Sequence, residues 1–131
     1  MVLILGSITL ITAAYILATT NEFISITEAK KFACYCGVAP FEHTSGIRIK
    51  GKSRVSHKAN KEVKTLFHMA ALSSVRIKGD LQNYFHRKVA EGKNKMSVLN
   101  AIRNKLILRV FSCVNRNSIF QKNYKYNFAE P

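Results

Sequence analysis

Between residues 61 and 114 apolar side chains return every three or four positions, and that spacing restricts the chain to packed helices. Val63, Leu66, Phe67, Ala70, Ala71 and Val75 form one stripe, with Lys61 and Lys64 on its wet side. Asn60 stands where such a helix takes its N-cap. Asp80 is placed to cap a shorter helix that carries Leu81, Tyr84, Phe85 and Val89 and stops at Gly92. Met96, Leu99, Ile102, Leu106, Val110 and Val114 make a third stripe over residues 95–114. Tyr84, Phe85 and Phe111 sit at helical spacing and read as core rather than as platforms for stacking bases.

Upstream, residues 10–20 read as a helix entered through Gly6-Ser7-Ile8-Thr9 and broken by Asn21-Glu22. Ser25-Ile26-Thr27-Glu28 has the capping-box pattern, so a second helix is expected to start near Thr27 and end before Gly37. Ala29, Phe32, Ala33 and Cys36 give it an apolar face, and Pro40 bars its continuation. The expected fold is mainly α, about five helices, with Thr44 to Ser56 as an exposed loop or short hairpin. Residues 115–131, rich in Asn, Lys and Tyr and without period, read as a loosely ordered tail. Tyr124, Tyr126 and Phe128 there are able to stack on bases, but a frayed end is the simpler reading.

Charge narrows the function. The chain of 131 residues carries a formal net charge of +14. All 21 basic residues lie beyond residue 29, against five acidic ones, whereas residues 1–29 hold only Glu22 and Glu28. Such an excess calls for a polyanionic partner, a nucleic acid or an acidic membrane surface. Its densest part is Arg48, Lys50, Lys52, Arg54 and Lys58, which read either as a phosphate-contacting strip or as a solvated face.

The start of the chain is uncharged over residues 1–18. It lacks the basic n-region of a signal peptide. A membrane span is interrupted by Gly6, Ser7, Thr9 and Thr12 and has no flanking basic cluster. A buried or partner-covered helix is therefore expected, with no membrane partner. Cys34, Cys36 and Cys113 are an odd set that reads as reduced packing thiols of a cytoplasmic protein. Cys34-x-Cys36 with His43 or His57 does not follow a standard zinc spacing, so no metal site is expected.

One hydroxyl turn, Thr44-Ser45-Gly46, precedes the basic strip. Gly46 permits close backbone approach and the strip is suited to neutralising a phosphorane, yet no carboxylate pair or Ser-His-Asp order is visible. Taken alone, the turn is more often structural than catalytic. Ser56-His57-Lys58-Ala59-Asn60 precedes a helix; capping is the plain role of Asn60, and aiming helix N–H groups and Lys58 at a phosphate is compatible with it.

Thr12-Ala13-Ala14, the run Lys31-Phe32-Ala33-Cys34-Tyr35-Cys36-Gly37-Val38-Ala39-Pro40, then His43-Thr44-Ser45-Gly46, Arg54-Val55-Ser56 and Asn60 resemble the C-terminal domain of insertion-sequence transposases of the DEDD class. The stretch Glu91-Gly92-Lys93-Asn94-Lys95-Met96-Ser97 and Asn104-Lys105-Leu106 fits the same family, so the resemblance spans roughly residues 5–114. It implies a helix-hairpin-helix-like start and a transposase C-terminal domain over 1–114. It also implies that Ser45 is the serine that joins to DNA, and that Arg48, Lys50, Lys52, Arg54, Lys58 and Asn60 contact nucleic acid. The implied partners are DNA and a structured guide RNA, with full-length members as homo-oligomers. Mg²⁺ belongs to the carboxylates of an N-terminal RuvC-like domain, so no cofactor is expected on this chain.

Two departures are visible. The hairpin of the Gly-Ile-Gly kind is Ser7-Ile8-Thr9 here, so both glycines are missing. The seven acidic residues are scattered and form no Mg²⁺ quartet. The expectation is a truncated transposase without its RuvC-like domain, able to bind DNA and inactive in recombination alone. The competing expectation is a non-catalytic basic helical module that binds nucleic acid.

Overall fold

The computed structural model describes residues 10–38, 44–45, 49–50 and 60–117. They form five helices: α1 (Leu10–Thr20), α2 (Ala29–Tyr35), α3 (Lys61–Arg76), α4 (Asp80–Ala90) and α5 (Lys95–Asn115). Two short strands, β1 (Thr44–Ser45) and β2 (Ile49–Lys50), pair antiparallel between α2 and α3. The mainly helical expectation holds. The loop at residues 7–9, most of the basic strip and residues 118–131 lie outside the described residues.

Helix α5 is the hub, packing against α2, α3 and α4, while α1 lies on α3. Its buried face is Val98, Leu99, Ile102, Leu106, Ile107, Val110, Phe111 and Cys113. The stripe read from sequence is right in its middle and wrong at its ends. Met96 is exposed and Val114 only half-buried. On α3 the buried set is Val63, Phe67, Ala70, Ala71 and Ser74, with Lys61 exposed. Phe111 is core, and Tyr84 and Phe85 pack half-buried against it.

Caps explain most boundaries. Asn60 Oδ1 accepts from the N–H groups of Glu62 and Val63 at 3.1 and 3.2 Å, and Asn94 Oδ1 accepts from Met96 N–H at 2.8 Å. Gly37 and Gly92 take left-handed φ of 70° and 87° just past α2 and α4. Each allows a Schellman closure: Val38 N–H reaches Ala33 O at 2.9 Å, and Lys93 N–H reaches Lys88 O at 3.1 Å. At the end of α1, Asn21, Glu22 and Phe23 all take positive φ, so the break expected at Asn21-Glu22 is a left-handed turn.

Two expected caps are corrected. Helix α2 starts at Ala29 with Glu28 as N-cap and no side-chain cap bond. The left-handed turn occupies residues 21–23 and Ser25 N–H bonds back to Thr20 O, so Ser25 closes α1 rather than opening α2. Glu28 pairs instead with Lys31 at 3.1 Å. Asp80 is the first residue inside α4, after an extended Gly79, and its carboxylate pairs with Arg109 of α5.

Helix α1 buries Thr12, Ala13, Ile16 and Thr20. Its other side leaves Leu10, Ile11, Tyr15 and Leu17 exposed. Among the described residues no helix is long and apolar enough to cross a membrane. The three cysteines are free and buried, and burial pushes the Cys36 thiol up to about 12.

Candidate nucleic-acid interface

The segment that carries Ser45 and the basic strip leaves the helical frame at Val38 and returns at Asn60. Both points are fixed to the C-terminal end of α2. Val38 is held by its bond to Ala33 O, and its own carbonyl accepts from Asn100 Nδ2 of α5 at 3.0 Å. Asn60 N–H donates to Tyr35 O at 2.9 Å, and Asn60 Nδ2 donates to the Tyr35 hydroxyl at 3.1 Å. Sequence reasoning missed Tyr35 and Asn100 as anchors. Asn100 follows directly on the buried pair Val98-Leu99, but α5 also carries Asn104 and Asn115, so its spacing alone did not single it out.

Within the segment, Ser45 pairs in register with Ile49, and Thr44 with Lys50. The backbone of the candidate nucleophile and that of one strip lysine thus lie on neighbouring strands, whose usual separation is about 4.8 Å. The other strip cations, Arg48, Lys52, Arg54 and Lys58, lie outside the described residues, as do His43, Gly46, Ser56 and His57.

Asn60 is described fully. Its carboxamide oxygen takes two N–H groups of the first turn of α3, and its carboxamide nitrogen is spent on Tyr35. The start of α3 is thereby largely satisfied by its own cap, which leaves it less open to an anion than an uncapped helix. Asn60→Ala should cost about 1 kcal/mol from the cap alone, within a range of about 0.5–2. Thermal melting of the variant beside wild type checks this, and an unchanged midpoint would remove the cap from the account.

Elsewhere Glu28, Asp80 and Glu91 are each paired with one cation. The Lys88 ammonium bonds Glu91 and holds its carboxyl below the ordinary range. Burial raises the Asp80 carboxyl, but the hydrogen bond and charge of Arg109 outweigh it and leave it lowered. Among the described residues no three His, Cys, Asp or Glu side chains gather in a way that would hold a metal ion. Arg103 is buried within the α5 face, its Nε has no hydrogen-bond partner, and burial lowers its guanidinium.

The sequence over this framework is similar to those of known proteins. The profile of the Transposase IS116/IS110/IS902 family matches residues 5–86, the stretch from before α1 into α4 that contains the paired strands and the basic strip. The chain belongs to this transposase family. It is also 30% identical over 112 residues to the pilin gene-inverting proteins of Moraxella lacunata and Moraxella bovis, a match that takes in 85% of this chain and 35% of each of those proteins. A 43.6 kDa insertion element IS110 protein of Streptomyces coelicolor is 24% identical over 110 residues, covering 84% of this chain and 27% of that protein. The chain therefore spans about a third of the length of the curated relatives it matches.

Proposed function

We propose that this chain is the nucleic-acid-contacting, serine-bearing part of a transposase of this family, and that it serves DNA strand transfer together with a RuvC-like metal-binding domain. The observation that carries this reading is the position of the family match. It encloses Thr44-Ser45-Gly46 and the cations from Arg48 to Lys58, a segment whose two ends are pinned to α2. In this reading Ser45 Oγ attacks a DNA phosphorus. A Ser45–phosphate ester forms, the phosphodiester bond to one deoxyribose oxygen breaks, and that oxygen leaves with a proton. Lys50 and the other strip cations offset the charge that builds on the phosphate.

The described acidic residues do not fit a Mg²⁺ site, since they stand apart and Glu28, Asp80 and Glu91 are each ion-paired. Mg²⁺ in this reading belongs to carboxylates outside these 131 residues. Guide-RNA contact and assembly of several copies are part of the same proposal.

Binding is tested by its salt dependence. Each phosphate neutralised should add about 0.9 to the slope of log affinity against log salt on duplex DNA. Replacing Lys50, Arg54 and Lys58 by Ala should flatten the slope by about 2–3. An unchanged slope would make the strip a solvated face and favour binding through another surface.

A further inference from the structure

Three of the cations that sequence reading left unassigned meet where α4 crosses α5. They line a cavity of about 520 Å³ together with Asp80, Asn83 and Tyr84. The cations come from both helices, Arg87 from α4 and Lys105 and Arg109 from α5. Arg109 is tied to Asp80, so these two charges largely cancel. Arg87 and Lys105 are held differently. The Lys105 Nζ lies 4.7 Å and the Arg87 guanidinium carbon 5.6 Å from the centre of the Tyr84 ring. Neither makes a direct ion pair among the described residues; the charge of Arg87 helps lower the Glu91 carboxyl, but Glu91 is itself bonded by Lys88.

That difference decides what the cavity is fit for. An aromatic ring attracts a cation through its quadrupole but carries no net charge, so it positions the cation without neutralising it. Tyr84, half-buried and packed against the core, is a fixed platform. The lining therefore carries three cations against one carboxylate, and offers a guanidinium fork, an ammonium and the Asn83 carboxamide. A phosphate matches that set: its oxygens accept from the fork and the ammonium, and its charge supplies what the Tyr84 ring does not.

We propose that this α4–α5 cavity is a second phosphate-contacting site, in which Arg87 and Lys105 hold a backbone phosphate of the bound nucleic acid outside the strip of residues 48–58. The inference rests on the reading that the chain contacts nucleic acid, and it lengthens the footprint from one segment to a helical face. Tyr84 is a positioning residue there.

The test uses the full chain with a short DNA duplex and, separately, a hairpin RNA of the same sequence, each titrated over a range of salt. The double variant Arg87→Gln/Lys105→Gln should lower the salt slope on duplex DNA by about 0.9, one phosphate contact. A charge-matched control, Lys93→Gln/Lys95→Gln, removes exposed cations that do not line the cavity. It should change the slope clearly less. Tyr84→Phe should behave as wild type, whereas Tyr84→Leu should weaken binding several-fold with no change in charge. Circular dichroism and melting of each variant separate loss of the site from loss of the fold. The nucleic acid on which the loss appears is the occupant; loss on neither, or loss equal to that of the control, overturns the site. So does unchanged nucleic-acid binding with weakened binding to phosphatidylserine-containing vesicles, which would assign the cavity to a lipid headgroup. If Lys50→Ala/Arg54→Ala/Lys58→Ala flattens the slope and Arg87→Gln/Lys105→Gln does not, the cavity is refuted while the proposed function stands. If wild type shows no salt-dependent binding, both readings fall.

Discussion

Ser45→Ala should abolish the covalent protein–DNA adduct when the chain is supplied with an intact RuvC-like domain and guide RNA. The expected fall is roughly 10³-fold or more, the scale on which loss of a serine nucleophile shuts down covalent catalysis. DNA affinity should stay within a few-fold of wild type. The serine is neutral, and attraction to the phosphates comes from the surrounding cations. The β1–β2 pairing is made by main-chain groups that alanine retains, so the segment should keep its register. Labelled DNA on a denaturing gel shows the adduct as a protein-linked band. The isolated chain should give no such band, because a serine hydroxyl with no base and no metal-bound carboxylates remains a weak nucleophile. A band that survives Ser45→Ala would move the chemistry to another residue, with Ser56 next. A band formed by the isolated chain would show that no second domain is needed.

What could be read from the residues was local. The end of α1, the Asn60 cap and the start of α5 follow from side chains within one helical turn of the boundary. The paired strands fall in the stretch where Ile47, Ile49 and Val55 interrupt polar residues. What could not be read depends on a partner distant in sequence. Asp80 looked like a cap because nothing near it in sequence shows that Arg109 lies across the α4–α5 crossing. Ser25-Ile26-Thr27-Glu28 has the composition of a capping box, yet a left-handed turn at Asn21 to Phe23 draws Ser25 back to α1. Counting along α5 gave a stripe that continued to Met96 and Val114, whereas burial depends on which positions α2, α3 and α4 cover, and these helices are brought there by the tertiary fold. The same limit applies to function. The net charge announces a polyanion, and Tyr84 and Arg87 stand three apart on α4, but the arrival of Lys105 beside them is set by the crossing of α4 and α5 and has no signature in spacing.

Phe32→Ala should be the most destabilising single change on the described surface or core. The ring is fully buried on α2, 6.0 Å from Phe67 of α3 and 5.5 Å from Phe111 of α5, centre to centre. It is thus the side chain through which three helices meet. Truncation leaves a cavity that these aromatic neighbours cannot fill without leaving their rotamers, and the expected cost is about 3–5 kcal/mol. Domains of this size are stable by about 5–15 kcal/mol in all, so the variant should melt roughly 10–20 °C lower. Ile24→Ala is the matched control, since Ile24 is 72% exposed, and it should stay within about 0.5 kcal/mol of wild type. The effect should reach function as well. The end of α2 holds both ends of the serine-bearing segment, through Ala33 O and Tyr35 O. Below its lowered melting point Phe32→Ala should bind DNA more weakly than wild type and lose the contribution of the strip before that of distant cations. A midpoint within a few degrees of wild type would mean that α2 is not seated on α3 and α5 as described, and the pinning of the segment would fail with it.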